Sequence, residues 1–294
     1  MNPNLKAKLI APDGLATRLR VLRRASDFSG VRLAAELGWQ QSKVSRIETG
    51  DQMPSSADVR AWAQACDATD QIGELLDLRI LAESNQTTWR RRNRHGLASV
   101  QAEFNELVRR SDVVRHFETA VVPGLLQTWD YTYWVAQDVI RLHGARDPGE
   151  AAAMADMRQH RAGYVHDLSK RFEFLLAEPV LRWLPCPAEV MIAQLDRLLS
   201  VSLLPNVRLG VIPLGTRLDT AVQNSFVVYD DIVRVDTYVA EDEYSGEAAM
   251  KYATVLDMLW QEAVEGDDAR QLIIKAAADL RQEQADPIHI AEES

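Results

Sequence analysis

Cysteine, glycine and proline are scarce in this chain, and its 33 Lys+Arg are outnumbered by 43 Asp+Glu. Its 294 residues include two cysteines, 14 glycines and 11 prolines, with 7% aromatics. Cys66 and Cys186 are too far apart for a Cys-x-x-Cys redox or metal motif. One long-range disulfide is open to them, but two isolated thiols in a chain this size more often mean a reducing cytoplasm. So little glycine and proline excludes collagen-like and low-complexity chains. No run approaches the roughly eighteen apolar residues that a membrane-spanning helix needs. The opening residues Met1 to Ile10 carry lysines with no apolar run behind them, so no signal peptide is expected there. A glycine-rich phosphate loop, a Gly-x-Ser-x-Gly elbow and a His-Glu-x-x-His pair are all missing. His160 and His166, six residues apart, do not share a helix face with a third ligand, so no metal site is expected. Cys186 sits between two prolines without a histidine beside it. The sequence therefore predicts neither a cofactor nor a catalytic centre.

What is present is an ordinary globular composition, 47% hydrophobic and 26% charged, long enough for two domains. The net charge of −10 looks wrong for binding a polyanion, but it is unevenly spread. Residues 1–95 hold 15 Lys+Arg against 11 Asp+Glu, a net of +4, and residues 96–294 hold 18 against 32, a net of −14. Affinity for phosphates depends on cations at the contact face, not on the whole molecule. A basic head on an acidic body fits that requirement.

The head is legible from its spacing. Leu15, Leu19 and Leu22 recur at helical intervals. Ser29 is placed to cap a second helix over Val31–Leu37, and Gly38 supplies the positive φ of a tight turn. A third helix follows from Gln41 to Thr49 and stops at Gly50. Small Ala34 lies where two helices would cross, with Val44 and Ile47 ten and thirteen residues later to bury the inner face. That is the frame of a helix-turn-helix. Gln40, Gln41, Ser42, Ser45, Arg46 and Thr49 then face outward with Lys43 flanking them, and Arg32 projects from the second helix. Gln pairs with adenine, Arg with guanine, Ser with bases or phosphates, so these eight residues are the candidate DNA contacts. Two further helices are expected: one begun at Pro54-Ser55-Ser56 with Ser56 as its cap, the other from Thr69 to Leu81.

The segment Gly38–Gly50 resembles the recognition segment of Xre-type, lambda-repressor-like regulators. Glu118–Thr128 and Pro205–Pro213 resemble parts of the DUF5753 domain that follows such a helix-turn-helix in a large group of actinobacterial regulators. Gln40 departs from the pattern, since these regulators often carry serine there. The resemblance implies a cytoplasmic, sequence-specific DNA-binding transcriptional regulator, a homodimer on a palindromic operator. Its C-terminal domain would sense a small molecule or bind a small partner protein encoded nearby. The alternative is a DNA-tethered enzyme acting on a metabolite.

The expected architecture is α+β. A five-helix all-α domain occupies residues 1–88, a basic hinge residues 89–96, and a mixed α+β domain with a small sheet residues 97–294. In the second domain, strands are expected at Phe172–Leu176, Val207–Ile212, Ser225–Tyr229 and Ile232–Val239, the last two joined by a turn at Asp230-Asp231. The run Glu241–Tyr244 reads as a solvated acidic loop, and the tail after Pro287 as loose. The helix Gln127–Leu142 is rich in aromatics, which at helical spacing are most often core. The alternative makes Trp129, Tyr133 and Trp134 an effector or partner surface.

Overall fold

A computed structural model describes residues 3–83, 87–88, 97–143, 149–238 and 240–285. The expected hinge, the Asp147-Pro148 start that the sequence offers for a helix from Glu150, and the tail after Pro287 lie outside these residues. The chain divides into two compact units, Met1–Asn85 and Gln86–Ser294, so the division falls three residues before the expected end of the first domain.

The first unit is all-helical: α1 (Pro3–Leu9), α2 (Leu15–Ala25), α3 (Gly30–Glu36), α4 (Gln41–Glu48), α5 (Ser56–Ala65) and α6 (Ile72–Glu83). The five expected helices are present, with α6 preceded by a 3₁₀ turn at Thr69–Gln71, and α1 is an addition. Its Leu9 is fully buried in the core made by Leu15, Leu19, Leu33, Val44, Ile47, Val59, Trp62 and Leu75. The indole of Trp62 donates to the Leu19 carbonyl at 3.1 Å, so the largest side chain in this core leaves no polar atom unsatisfied. The α5 cap is Ser55, not Ser56. Ser55 Oγ accepts from the Asp58 amide while Asp58 Oδ2 accepts from the Ser55 amide, a reciprocal capping box. Leu81, the last residue of the expected helix, is 63% exposed.

The second unit is built on one mixed sheet. Its strands are β1 (Thr87–Thr88), β2 (Val113–Glu118), β3 (Arg171–Ala177), β4 (Val207–Ile212), β5 (Phe226–Tyr229), β6 (Ile232–Asp236), β7 (Ala240–Tyr244) and β8 (Val264–Glu265). The order is β1-β7-β6-β5-β2-β3-β4-β8, with β2, β3 and β4 parallel and the other pairings antiparallel. The helices are α7 (Leu97–Arg110), α8 (Trp129–His143), α9 (Glu150–Ala162), α10 (Ala188–Val201), α11 (Gly246–Gln261) and α12 (Gly266–Ala285). Helices α8 and α9 link β2 to β3, and α10 links β3 to β4, as parallel strands require.

Alternation along the strands makes two cores. Val114, Phe172, Phe174, Leu176, Leu209 and Val211 pack against α7, α8, α10 and α12. Phe117, Leu175, Phe226, Val228, Val233 and Val235 face Leu256, Leu259 and Trp260 of α11 on the other side. The result is a three-layer α+β domain. Asp230 and Asp231 form the expected two-residue hairpin, with Tyr229 opposite Ile232 and Asp230 at φ +51°.

Glu241–Tyr244 is a strand and not a solvated loop. Glu243 lies opposite Arg234 on β6, and Arg234 pairs with Glu241 at 3.0 Å and Glu243 at 2.8 Å. A guanidinium between them lets an acidic segment enter a sheet, with Glu241 only 3% exposed.

In the Pro205–Pro213 motif the glycine has a steric cause. A Cβ on Gly210 would lie 2.3 Å from the Trp260 ring, so only glycine lets α11 settle on β4.

Candidate nucleic-acid interface

The turn between α3 and α4 is set by two backbone hydrogen bonds. Ser29 Oγ accepts from the Arg32 amide and starts α3. At the other end Trp39 N donates to Ala34 O (2.8 Å) and Gly38 N to Ala35 O (3.2 Å), with Gly38 at φ +65°. This is a Schellman closure, in which a left-handed residue satisfies carbonyls that the helix leaves open. The same pattern ends α4: Asp51 N reaches Arg46 O, Gly50 N reaches Ile47 O, and Gly50 has φ +70°. Helix α4 is thus fixed in length at both ends.

Its inner face is Val44 and Ile47, at most 1% exposed. Removing Ile47 down to alanine would cost about 2–5 kcal/mol, so the rotation of α4 about its axis is strongly held. That rotation turns Gln40, Gln41, Ser42, Ser45, Arg46 and Thr49 outward together, all exposed. Gln40 occupies the N-cap with extended backbone but makes no capping hydrogen bond through its side chain. The departure from serine therefore leaves the N-terminal amides of α4 uncapped by this side chain.

Not every candidate is equally free. Arg46 Nε donates to Gln52 Oε1 at 3.0 Å, which orients the guanidinium along the helix end. Thr49 Oγ1 bonds Asp51 Oδ2 at 2.6 Å and the Ser45 carbonyl at 3.0 Å. Lys43 is folded back: its Nζ lies 2.6 Å from Asp58 Oδ1 and 4.0 Å from the Trp39 ring. Burial works to raise the Asp58 carboxyl, but hydrogen bonds from Lys43 and Ser55 carry it below the ordinary value. Arg32 stands apart from the α4 row, exposed on α3 with its guanidinium 5.6 Å from the Phe28 ring.

The supports of this surface escaped the sequence reading. Arg23 of α2 grips Glu48, the last residue of α4, and its Nη1 also donates to the Phe28 carbonyl at 2.6 Å. Gln52 and Asp58 position Arg46 and Lys43. Each lies outside the helix it serves, so no helical periodicity marks it.

In the second unit the aromatic segment divides. Tyr131 is fully buried and its hydroxyl accepts from the Val122 amide at 3.1 Å. Trp129 and Tyr133 stack with centroids 5.3 Å apart and rings 9° from parallel, and Trp129 Nε1 donates to Asp156. Trp129 and Trp134 are 37% and 40% exposed. Among the described residues no three His, Cys, Asp or Glu side chains converge as a metal site requires. Cys66 and Cys186 are free and buried, and burial pushes the Cys186 thiol up to about 11. No helix of the described residues is long and apolar enough to cross a membrane.

Comparison with known proteins follows this division. A helix-turn-helix domain family matches residues 15–75, and a domain of unknown function, DUF5753, matches residues 101–275. No curated protein matches the chain. Among solved structures, a phosphatidylserine synthase of Haemophilus influenzae Rd KW20 aligns with 75% of this chain at 10% identity and a TM-score of 0.34. The aligned chain spans just over half of that enzyme, 54%, and a likeness this slight carries no argument about fold or chemistry. The DUF5753 match covers more than half of the sequence, and the chain belongs to the DUF5753 family, in the form that carries an N-terminal helix-turn-helix domain.

Proposed function

We propose that the protein is a sequence-specific DNA-binding transcriptional regulator, acting in the cytoplasm as a homodimer on a palindromic operator. The observation that carries this reading is the face of α4. Five polar side chains, Gln41, Ser42, Ser45, Arg46 and Thr49, stand exposed in one row above a fully buried Val44 and Ile47. A helix so held, with Arg and Gln at its surface, has the donors and acceptors that base edges in the major groove require. Dimerisation follows from the economy of the motif, because two half-sites about 34–36 Å apart raise specificity. The net charge of residues 96–294 keeps the rest of the chain off the polyanion.

The C-terminal domain is the receiver of a signal in this reading, not a catalyst. Its input is a small molecule or a small partner protein, with exposed Trp129 and Trp134 and the partly buried Tyr133 stacked on Trp129 as the effector or partner surface. Fluorescence anisotropy of the full chain on duplexes from its own upstream region, against random duplex, tests the proposal. Tight binding to one duplex that falls steeply with salt supports it. Equal affinity for all duplexes removes the claim of specificity.

A further inference from the structure

Arg158 and Arg161 lie three residues apart on α9 and so share a face. Among the described residues their hydrogen bonds all go to amide oxygens. Arg158 Nη1 donates to Gln127 Oε1 at 2.8 Å, and Arg161 Nη1 to Gln101 Oε1 at 3.0 Å and Asn105 Oδ1 at 3.3 Å. Arg158 Nε is buried without any partner. Arg161 is 6% exposed, its guanidinium 5.4 Å from the Phe104 ring.

Four other partly buried arginines are paired with carboxylates. Arg23 sits on Glu48, Arg115 on Glu173, Arg182 on Glu178 and Arg234 on Glu241 and Glu243. At α9 burial holds both guanidiniums below the usual arginine value, Arg158 to about 10, with Arg161 depressing it further. Both remain cations at neutral pH. Asp236 and Glu118 favour the charge of Arg158, and Tyr229 and Asp236 that of Arg161, but among the described residues no carboxylate lies within ion-pair distance of either guanidinium, and Glu118 is paired with His116 at 3.0 Å. Two neighbouring cations, one buried and one partly buried, with no carboxylate paired to either oppose folding, whereas one anion between two guanidinium forks is bound strongly.

The segment over these arginines is Glu118–Thr128, which the sequence marks as a motif. A Cβ on Gly124 would lie 3.4 Å from Arg161 Nη2, so the loop backbone closes on that guanidinium. Gln127 is fixed from three sides: its Nε2 donates to Val122 O, its Oε1 accepts from Thr132, and its carbonyl accepts from Gln159. Tyr131, kept protonated by burial and close enough to feel Arg158, accepts from Val122 N. Among the described residues its hydroxyl proton is given to no acceptor. The motif thus holds an amide, a phenol and a close backbone around two cations that no carboxylate pairs among the described residues.

We propose that Arg158 and Arg161 are the anion-binding residues of the C-terminal domain, and that its effector is a small metabolite held beneath the 119–128 loop through a carboxylate or phosphate group. The proposal rests on the reading of that domain as a sensor and names the chemistry of what it senses. A pair with one buried and one partly buried member selects a small anion over a protein surface.

The test uses the full chain, with inorganic phosphate and succinate as separate probes at constant ionic strength, followed by calorimetric titration and thermal unfolding. Saturable binding of either probe, with a raised Tm, is expected, and which of the two binds assigns the group. Arg158→Gln and Arg161→Gln should each weaken that binding at least tenfold. Asn105→Asp gives Arg161 a counter-ion of its own, so it should raise the Tm and also abolish binding, which a misfolded variant would not do. Absence of binding by both probes in the natural protein overturns the proposal. So does binding that survives all three substitutions. Operator affinity is measured in parallel: DNA binding without anion binding removes this site alone, and anion binding without DNA binding removes the regulator.

Discussion

Arg23 holds Glu48 in a two-point grip, Nε to Oε1 at 2.5 Å and Nη2 to Oε2 at 3.0 Å, and so ties α2 to the end of the candidate recognition helix. Both side chains are only 12–13% exposed, and the hydrogen bond to Glu48 is the main cause that raises the Arg23 pKa. A charge-assisted pair in this setting resists truncation, because the survivor is left unpaired. Arg23→Met should lower stability by about 2–3 kcal/mol in urea unfolding. The same variant should weaken operator and random duplex alike, since α4 loses its anchor and not its side chains. An unchanged midpoint would show that the grip contributes nothing.

Arg46 gives the contrasting case. It is exposed, and its guanidinium donates to Gln52. Arg46→Ala should leave the melting temperature nearly unmoved. It should cost about 1–3 kcal/mol of operator binding and relax selectivity at one base position per half-site. Anisotropy against a set of single-base operator variants reads both effects. A uniform loss across all duplexes would assign Arg46 to the phosphate backbone instead.

Gly210 is predicted to be irreplaceable as long as Trp260 is present. Gly210→Ala drives a methyl to 2.3 Å from the indole, and β4 or α11 must shift. Overpacking of this kind costs about 1–3 kcal/mol. Trp260→Leu removes the obstacle, so adding Gly210→Ala to it should cost much less than in the natural protein. Purely additive urea midpoints in that double-mutant cycle would refute the steric account.

The helix-turn-helix was legible because its logic is local. Ala34, Gly38, Val44 and Ile47 meet within fourteen residues, and each has a residue type that only one role suits. The ends of α2 and α5 were less visible, since Asp27 and Asp67 take the left-handed position at φ +54° and +52° that glycine usually advertises. Helix α1 has seven residues, too few to show a period, and only the distant core explains its buried Leu9. Strand β7 was hidden by composition, because Arg234 on the neighbouring strand is what neutralises it. The pair at α9 was hidden for the same reason. Arg158 and Arg161 look like ordinary helix-surface residues until Gln101, Asn105 and Gln127, up to 60 residues away, are brought around them.

Asp58 links two helices, capping α5 by its Oδ2 and holding Lys43 of α4 by its Oδ1. Its native pKa is lowered below the value of about 3.9 expected when unfolded. The folded state therefore binds this proton less readily than the unfolded state. The stability it contributes is complete above that unfolded value and is lost as the pH falls through the lower native one. Asp58→Asn should lower stability at pH 7, where the carboxylate holds both the Ser55 amide and Lys43. The gap between variant and natural protein should then narrow steadily below pH 4, followed by urea midpoints across an acid series. A gap that stays constant down to pH 2 would mean that the cap acts through its shape alone, and that the charge on Asp58 has no part in fixing Lys43 against Trp39.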